Sequence, residues 1–321
     1  MRDKITLEDH FAIEATLNDS KGFGSHVWAE LGPRLLDLTD KRLRLMDASG
    51  VKTMIVSLNA PAIQAIPDAK RAAEVARQAN DALAEATRKH PDRLVGVAAL
   101  PMQDPDAATR EYERCVRDLG FKGALVNGFS QLGDKILYYD LPMYRPFWAI
   151  VERVGLPFYL HPRNPMPNAI PAYEGHPWLL GPSWGFHAET AVHALRLIGS
   201  GLFDEHPRLA VVLGHLGEGL PFYIWRIDNR NMWMKAPHKY AAKKWVGDYF
   251  RANFYVTTSG HYSTPALLDT IAELGADRVM FSVDYPFEDF SDAAEWFDQA
   301  ALSEVDRAKI GRDNARRLFK L

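Results

Sequence analysis

A single cysteine, Cys115, stands among 321 residues, so the chain can form no internal disulfide. It falls in step with Ala108, Tyr112, Val116 and Leu119 on one face of a predicted helix, the pattern of a core thiol rather than a nucleophile. No apolar run is long enough to span a bilayer, and the chain enters a strand within four residues of its start, which predicts no signal peptide. No charge block of either sign occurs, and the formal net charge is only −3. That argues against nucleic acid or an anionic membrane as the main partner. No strand is followed by a Gly-rich phosphate fingerprint; Gly214-His215-Leu216-Gly217-Glu218-Gly219 has the wrong glycine spacing. Internal repeats and low-complexity linkers are absent too. These absences leave a cytoplasmic location and one domain over 1–321 as the expectation.

What is present is an ordinary globular balance, 47% hydrophobic and 25% charged, enough for a large core. Eight apolar, β-rich runs recur at 5–11, 54–58, 94–100, 124–127, 157–161, 209–215, 254–258 and 279–284. Helical patterns lie between them, at 34–49, 69–89, 106–119, 143–154, 188–199, 220–232, 264–274 and 304–319. Strand–helix alternation repeated eight times predicts a parallel (β/α)₈ TIM barrel, with an open doubly wound sheet as runner-up. The barrel is preferred because polar residues stand at the ends of several strands, not at one crevice. Two long segments interrupt the alternation. One, 18–32, follows the first strand and holds Phe23 and Trp28. The other, 162–185, follows the fifth strand and holds six prolines with Tyr173, Trp178 and Trp184. Loops of this kind at the C-terminal face of a barrel shape a substrate pocket, although they can also serve only as a lid or subunit contact.

All strand ends of a barrel converge on one mouth. Period-two alternation in Ile5-Thr6-Leu7-Glu8-Asp9-His10-Phe11 sends Glu8 and His10 to one face and Asp9 to the other. The same mouth receives His161 from strand 5, His215 from strand 6 and Asp284 from strand 8. Each has a structural explanation when taken alone: a charge at a strand end, a satisfied core histidine, a turn cap. Their convergence favours a nitrogen/oxygen metal site suited to Zn²⁺ or Mn²⁺. His261 lies a few residues past strand 7 and can reach the mouth. His187 and His193 read as packing residues of a helix, and His90, His206 and His238 as surface residues. Strand 4 ends in Asn127, with no lysine to bridge two ions, so a single metal ion is expected.

The motifs around these residues carry a resemblance. Leu7-Glu8-Asp9-His10-Phe11, Ser57-Leu58-Asn59-Ala60-Pro61, Tyr159-Leu160-His161-Pro162-Arg163, Gly214-His215-Leu216-Gly217-Glu218-Gly219 and Ser282-Val283-Asp284-Tyr285-Pro286-Phe287 together resemble the amidohydrolase superfamily, and within it the nonoxidative aromatic-acid decarboxylases. The resemblance runs the length of the chain. It implies metal ligation by Glu8, His10, His161 and Asp284, ring protonation by Asp284, and a hydrogen-bonded pair, His215 and Glu218, beside the substrate. It implies substrate contacts from Arg226, Phe23, Phe287, His10, His161 and Asn59, to which the place of His261 after strand 7 adds that residue. It also implies a homodimer or homotetramer, with Trp245, Tyr249, Trp296 and Phe297 available to an interface or to the core. Asp9, Tyr285, Asn229 and His261 depart from the usual Glu, Trp, His and Asn at their positions.

The implied reaction is decarboxylation of an ortho-hydroxybenzoate, 2,6-dihydroxybenzoate first. The 2,3-isomer, salicylate and a carboxylated methoxyphenol are alternatives. From other classes come a mononuclear-metal hydrolase of a lactone or cyclic amide, and a non-catalytic scaffold. Direct loss of CO₂ would leave an unstabilised aryl anion, so the ring carbon must be protonated first. That task requires an acid whose pKa is not too low, which sets a demand on a metal-bound Asp284.

Overall fold

The eight apolar runs fold as parallel strands. The structure, a computed structural model, describes residues 1–23, 25–165, 173–234 and 240–321. Its strands are β1 (Lys4–Phe11), β2 (Val51–Leu58), β3 (Leu94–Gly96), β4 (Ala124–Asn127), β5 (Ser130–Leu132), β6 (Lys135–Leu137), β7 (Phe158–His161), β8 (Val211–Leu213), β9 (Phe254–Thr257) and β10 (Val279–Met280). β1, β2 and β3 pair in parallel, as do β4, β7, β8, β9 and β10. A parallel bridge between Ala98 and Ala124 joins the two sheets. On the far side the segment after β10 runs along β1. There the Val283 N–H donates to Thr6 Oγ1 at 3.1 Å, the Ser282 hydroxyl to the Leu7 carbonyl, and the His10 N–H to the Tyr285 carbonyl at 2.6 Å. Eight parallel strands thus close into a (β/α)₈ barrel. β5 and β6 form an antiparallel hairpin that the sequence pattern did not announce, turning at Gly133 with φ 55°. The fifth barrel strand is therefore β7.

Two apolar layers fix where the mouth lies. Ile5, Leu7, Ile55, Val97, Leu125, Tyr159, Val212 and Met280 fill the barrel interior, and Ala315 and Phe319 of the terminal helix Asn314–Phe319 complete that cluster. These strand residues precede the site residues on their own strands, so the interior is solid up to the level of Glu8, His161 and Asp284. A larger core, with Met54, Val56, Ala79, Leu83 and Trp148 among its members, lies between strands and helices.

The helices predicted at 69–89 and 264–274 form with those bounds, and those at 106–119, 143–154, 188–199 and 220–232 form as Pro105–Asp118, Arg145–Val154, Gly185–Gly199 and Leu220–Met234. The predicted helix at 34–49 is two helices, Trp28–Leu36 and Asp40–Ala48. Asp37 breaks it: its carboxylate accepts from the N–H groups of Thr39, Lys41 and Arg42 at 3.0, 2.8 and 3.1 Å, competing with continued helix. The predicted helix at 304–319 is interrupted by a wide turn at Lys309–Asp313. Of the aromatics considered for an interface, Tyr249 and Phe297 belong to the core, whereas Trp245 is exposed. His238 and residues 166–172 of the second long loop lie outside the described residues.

β1 departs from strict alternation in a way that matters. Ile5 and Leu7 face the barrel interior, and regular alternation would then turn Glu8 and His10 outward. Instead the register slips by one residue between Thr6 and Asp9, and Glu8 takes φ 54°. This bulge brings Glu8 and His10 onto the interior side with Ile5 and Leu7. Asp9 is left buried on the other face, where its Oδ1 accepts from the Tyr285 N–H at 3.1 Å.

Candidate metal centre and active site

Glu8, His10, His161 and Asp284 each offer one donor atom, and these four atoms lie within 4.8 Å of one another. His10 Nε2 is 3.2 Å from Asp284 Oδ1, and His161 Nε2 is 3.3 Å from Glu8 Oε1. Glu8 Oε1 and His10 Nε2 are buried and make no hydrogen bond. Unpaired buried polar atoms are costly, so two of them aimed at one point fit a cation between them. The donor set, two imidazoles and two carboxylates with no thiolate, suits Zn²⁺ or Mn²⁺. His10 Nδ1 lies 3.2 Å from Ser57 Oγ, its register partner on β2, which orients the ring with Nε2 toward the cluster. Asn127, at the end of β4, instead donates to the carbonyls of Asn59 and Pro61, so that strand adds no second-metal ligand.

The charges at the site oppose one another. Burial, with His10 adding, holds His161 well below the usual imidazole range, so it stands neutral and ready to ligate. Burial raises Glu8, against the lowering effect of His215. Asp284 goes the other way, down to about 2: burial acts to raise it, but the neighbouring imidazoles of His10 and His215 prevail. His215 is likewise pushed down by burial, yet the charges of Glu218 and Glu8, with Asp284 beside them, hold it well above its ordinary value.

His215 and Glu218 are joined by an unusual turn. His215, Leu216, Gly217, Glu218 and Gly219 all have positive φ, from 48° to 85°. A left-handed turn of non-glycine residues costs roughly 1–2 kcal/mol per residue, and such strain concentrates at functional sites. Here it folds residues three apart onto each other, so that His215 Nδ1 donates to Glu218 Oε1 at 2.8 Å. His215 Nε2 then points back at the cluster, 3.8 Å from Asp284 Oδ2 and 3.9 Å from Glu8 Oε1.

A cavity of about 350 Å³ opens onto this group, lined by His10, His161, His215 and Asp284 on one side and by Phe287, Phe186 and Pro286 on another. The Phe287 ring stands 5.8 Å from His10, nearly edge-on. The two long loops contribute His26, Val27 and Pro182, and the rim carries Glu30, Arg34 and Glu288. Partial burial and the charge of Asp284 raise the Glu288 carboxyl to about 7.

Three expected substrate residues stand elsewhere. Arg226 is exposed and does not line the described cavity. It follows Ile224, which is buried, by two helical positions and so falls on the opposite face of Leu220–Met234. Asn59 is fully buried and holds the first long loop, its Nδ2 donating to the Thr16 carbonyl at 2.9 Å and to Ser20 Oγ at 2.8 Å. His261 is exposed, with Nδ1 3.3 Å from the His215 carbonyl, and lines a neighbouring cavity on the far side of His215. The side chain of Phe23 lies outside the described part of the structure. Tyr159, Thr257, Ser259 and Ser57, which hold the ligand side chains, and Glu288 at the rim were not singled out from sequence. Tyr159 carried a signal, standing two residues before His161 on the same strand face.

An amidohydrolase family model matches residues 24–321. The chain is 62% identical to a gamma-resorcylate decarboxylase of Rhizobium sp. (strain MTP-10005), over 100% of this chain and 99% of that one. Among solved structures it is similar to a 2,6-dihydroxybenzoate decarboxylase complexed with 2,6-dihydroxybenzoate, with TM-score 0.98, 62% identity and full coverage of both chains. It is also similar to a dihydroxybenzoic acid decarboxylase from Polaromonas sp. JS666 with bound manganese and the inhibitor 2-nitroresorcinol. That match has TM-score 0.98 and 59% identity, over 100% of this chain and 98% of the other.

Proposed function

Because this chain belongs to the amidohydrolase family, we propose that it catalyses the reversible, nonoxidative decarboxylation of 2,6-dihydroxybenzoate to resorcinol and CO₂. It does so with one divalent ion, Mn²⁺ or Zn²⁺, held by Glu8, His10, His161 and Asp284 within a single domain spanning 1–321. The observation that carries the reading is the convergence of those four donors beside an aromatic-walled cavity. The 62% identity to gamma-resorcylate decarboxylases supports the choice of substrate, and the manganese-bound relative supports Mn²⁺.

Held by these four residues, the ion would supply Lewis acidity and a fixed point for the anionic substrate. Phe287 packs against the ring. With the ion offsetting the charges of Glu8 and Asp284 that help hold His215 protonated, the His215–Glu218 pair accepts the phenol proton, Glu218 fixing the tautomer through Nδ1. Asp284 is the cluster carboxylate that reaches the cavity: its side chain is 15% exposed, against 0% for Glu8. It takes over the phenol proton from His215, whose Nε2 lies 3.8 Å from Asp284 Oδ2, and delivers it to the carbon bearing the carboxylate, forming the C–H bond. The C–C bond then breaks, its electron pair returns to the ring and CO₂ leaves. The low pKa of Asp284 requires that its contacts with His10 and His215 loosen as substrate enters.

The test is loss of 2,6-dihydroxybenzoate absorbance with appearance of resorcinol, in Mn²⁺-loaded and chelator-stripped protein. Metal-dependent loss is expected. Asp284→Asn should retain substrate binding and lose ~10²–10⁴-fold in turnover; full activity in that variant would overturn its role. Failure on every hydroxybenzoate would move the assignment to lactone or cyclic-amide hydrolysis. We further propose a homo-oligomer. Phe222, Tyr223 and Trp225 present an exposed aromatic face on one helix, at 74%, 51% and 70% exposure. Light scattering at the mass of a single chain would refute it.

A further inference from the structure

One oxygen of Glu8 faces the metal cluster, and the other sits in a cradle that no part of the reaction explains. Glu8 Oε2 accepts from the hydroxyls of Tyr159 and Ser259 and from Thr257 Oγ1, the last at 3.2 Å. The three hydroxyls also meet one another: Tyr159 Oη is 2.8 Å from Thr257 Oγ1, which is 2.9 Å from Ser259 Oγ. Ser259 Oγ in turn accepts from the His215 N–H at 3.2 Å, tying the cradle to the left-handed turn. Gly214 forms a fourth wall. A Cβ there would stand 2.7 Å from Glu8 Oε2 and 2.8 Å from Oε1. All four residues are buried; Tyr159 stands on β7, and Thr257 and Ser259 stand at and just past the end of β9, with β8 between the two strands.

Taking Glu8 as a metal ligand, as proposed above, we infer that Tyr159, Thr257 and Ser259 are positioning residues that make Glu8 a one-oxygen ligand. A free carboxylate beside a divalent ion can swing to bind through both oxygens. Three donors on Oε2 remove that option, because the second oxygen would have to give up all of them inside the barrel, where unmade hydrogen bonds are costly. The consequence is a matter of coordination number. Ions such as Mn²⁺ favour six positions. Four protein residues giving one atom each leave two, the number that a substrate carboxylate and its ortho oxygen would fill. A two-oxygen Glu8 would leave one, and the substrate could no longer be held at both oxygens. The cradle therefore serves the chelating mode of an ortho-hydroxy acid, and a monodentate ligand would not require it.

The test uses Mn²⁺ itself, titrated against a chromogenic chelator, with the Mn²⁺ electron paramagnetic resonance spectrum recorded before and after adding 2,6-dihydroxybenzoate. Tyr159→Phe, Ser259→Ala and Thr257→Val should each weaken Mn²⁺ binding by about 10- to 100-fold. Thr257→Ser, which keeps the hydroxyl, should restore the wild-type affinity. The substrate-induced spectral change of the wild type should be lost in Tyr159→Phe/Ser259→Ala at saturating Mn²⁺. Variants with wild-type affinity and an unchanged substrate response would overturn the cradle while leaving the metal site intact. A wild-type chain that binds no Mn²⁺ would overturn the ligand reading, and the cradle with it. Circular dichroism of each variant separates misfolding from loss of metal; Thr257→Ser decides the case if Thr257→Val fails to fold.

Discussion

Glycine 214 shows how little room the site allows. Its missing Cβ is the space that the Glu8 carboxylate occupies, so Gly214→Ala should push Glu8 out of the cluster. We expect Mn²⁺ affinity to fall by about 10- to 100-fold, read by chelator titration, with the secondary structure unchanged. Glu288 acts through charge. With its carboxyl raised to about 7, it is largely neutral below that pH and anionic above it, where it repels an anionic substrate at the rim. The KM for 2,6-dihydroxybenzoate should therefore rise as pH passes through 7, and Glu288→Gln should flatten the rise while sparing kcat. A KM profile identical in the two proteins would remove Glu288 from the rim's function.

At the level of elements, the helix Gly185–Gly199 is fastened to the segment after the β5–β6 hairpin by His193, whose Nε2 accepts from the Tyr139 N–H at 3.1 Å. Burial, with Arg196 adding, holds the imidazole down to about 3. The folded protein keeps His193 neutral, whereas the unfolded chain takes up a proton below the ordinary value of 6.5. Stability is full above that pH and is lost as the pH falls toward 3, at about 1.4 kcal/mol per pH unit once below the unfolded value. His193→Gln retains an acceptor for Tyr139 and cannot titrate. In urea melts between pH 7 and 4.5 its acid destabilisation should be shallower than that of the wild type; parallel slopes would show that other groups dominate. Elements also carry the departures from regularity. The bulge at Glu8 and the left-handed turn from His215 to Gly219 each sacrifice local preference to aim a side chain.

For the whole molecule, the solid barrel interior keeps the mouth at one end. Phe319, buried in that interior cluster, comes from the last helix and packs with residues of strands far away in sequence. Phe319→Ala should cost about 3–5 kcal/mol, measured by denaturant unfolding, and leave the Mn²⁺ affinity of the folded protein unchanged because the site lies on later strand residues. An ion bridging β1, β7 and the segment after β10 binds only the closed barrel. At a hundredfold excess over its Kd it should add about 2.7 kcal/mol of stability, lost on chelation and seen as a lower Tm.

Much of this was legible in the chain itself. Periodicity alone separates eight β-rich runs from helical patterns, that alternation calls for parallel strands with helical crossovers, and polar residues at the ends of several strands favour a barrel over an open sheet. The barrel in turn brings Glu8, His10, His161 and Asp284 together, since strand ends share a mouth. Tertiary structure decided the rest. Which face Glu8 takes depends on a one-residue bulge, and a bulge shows no sign in a pattern of alternation. Where Asn59 and Arg226 stand relative to the cavity depends on burial and helix facing, and so on what packs against them. The hydroxyls of Tyr159, Thr257 and Ser259 are ordinary strand residues in sequence. They become a cradle for one oxygen only when two strands, separated by nearly a hundred residues, are curled into the same barrel. Sequence determines which groups are available and on which strands; distances of a few ångströms between those groups follow from closure of the whole fold.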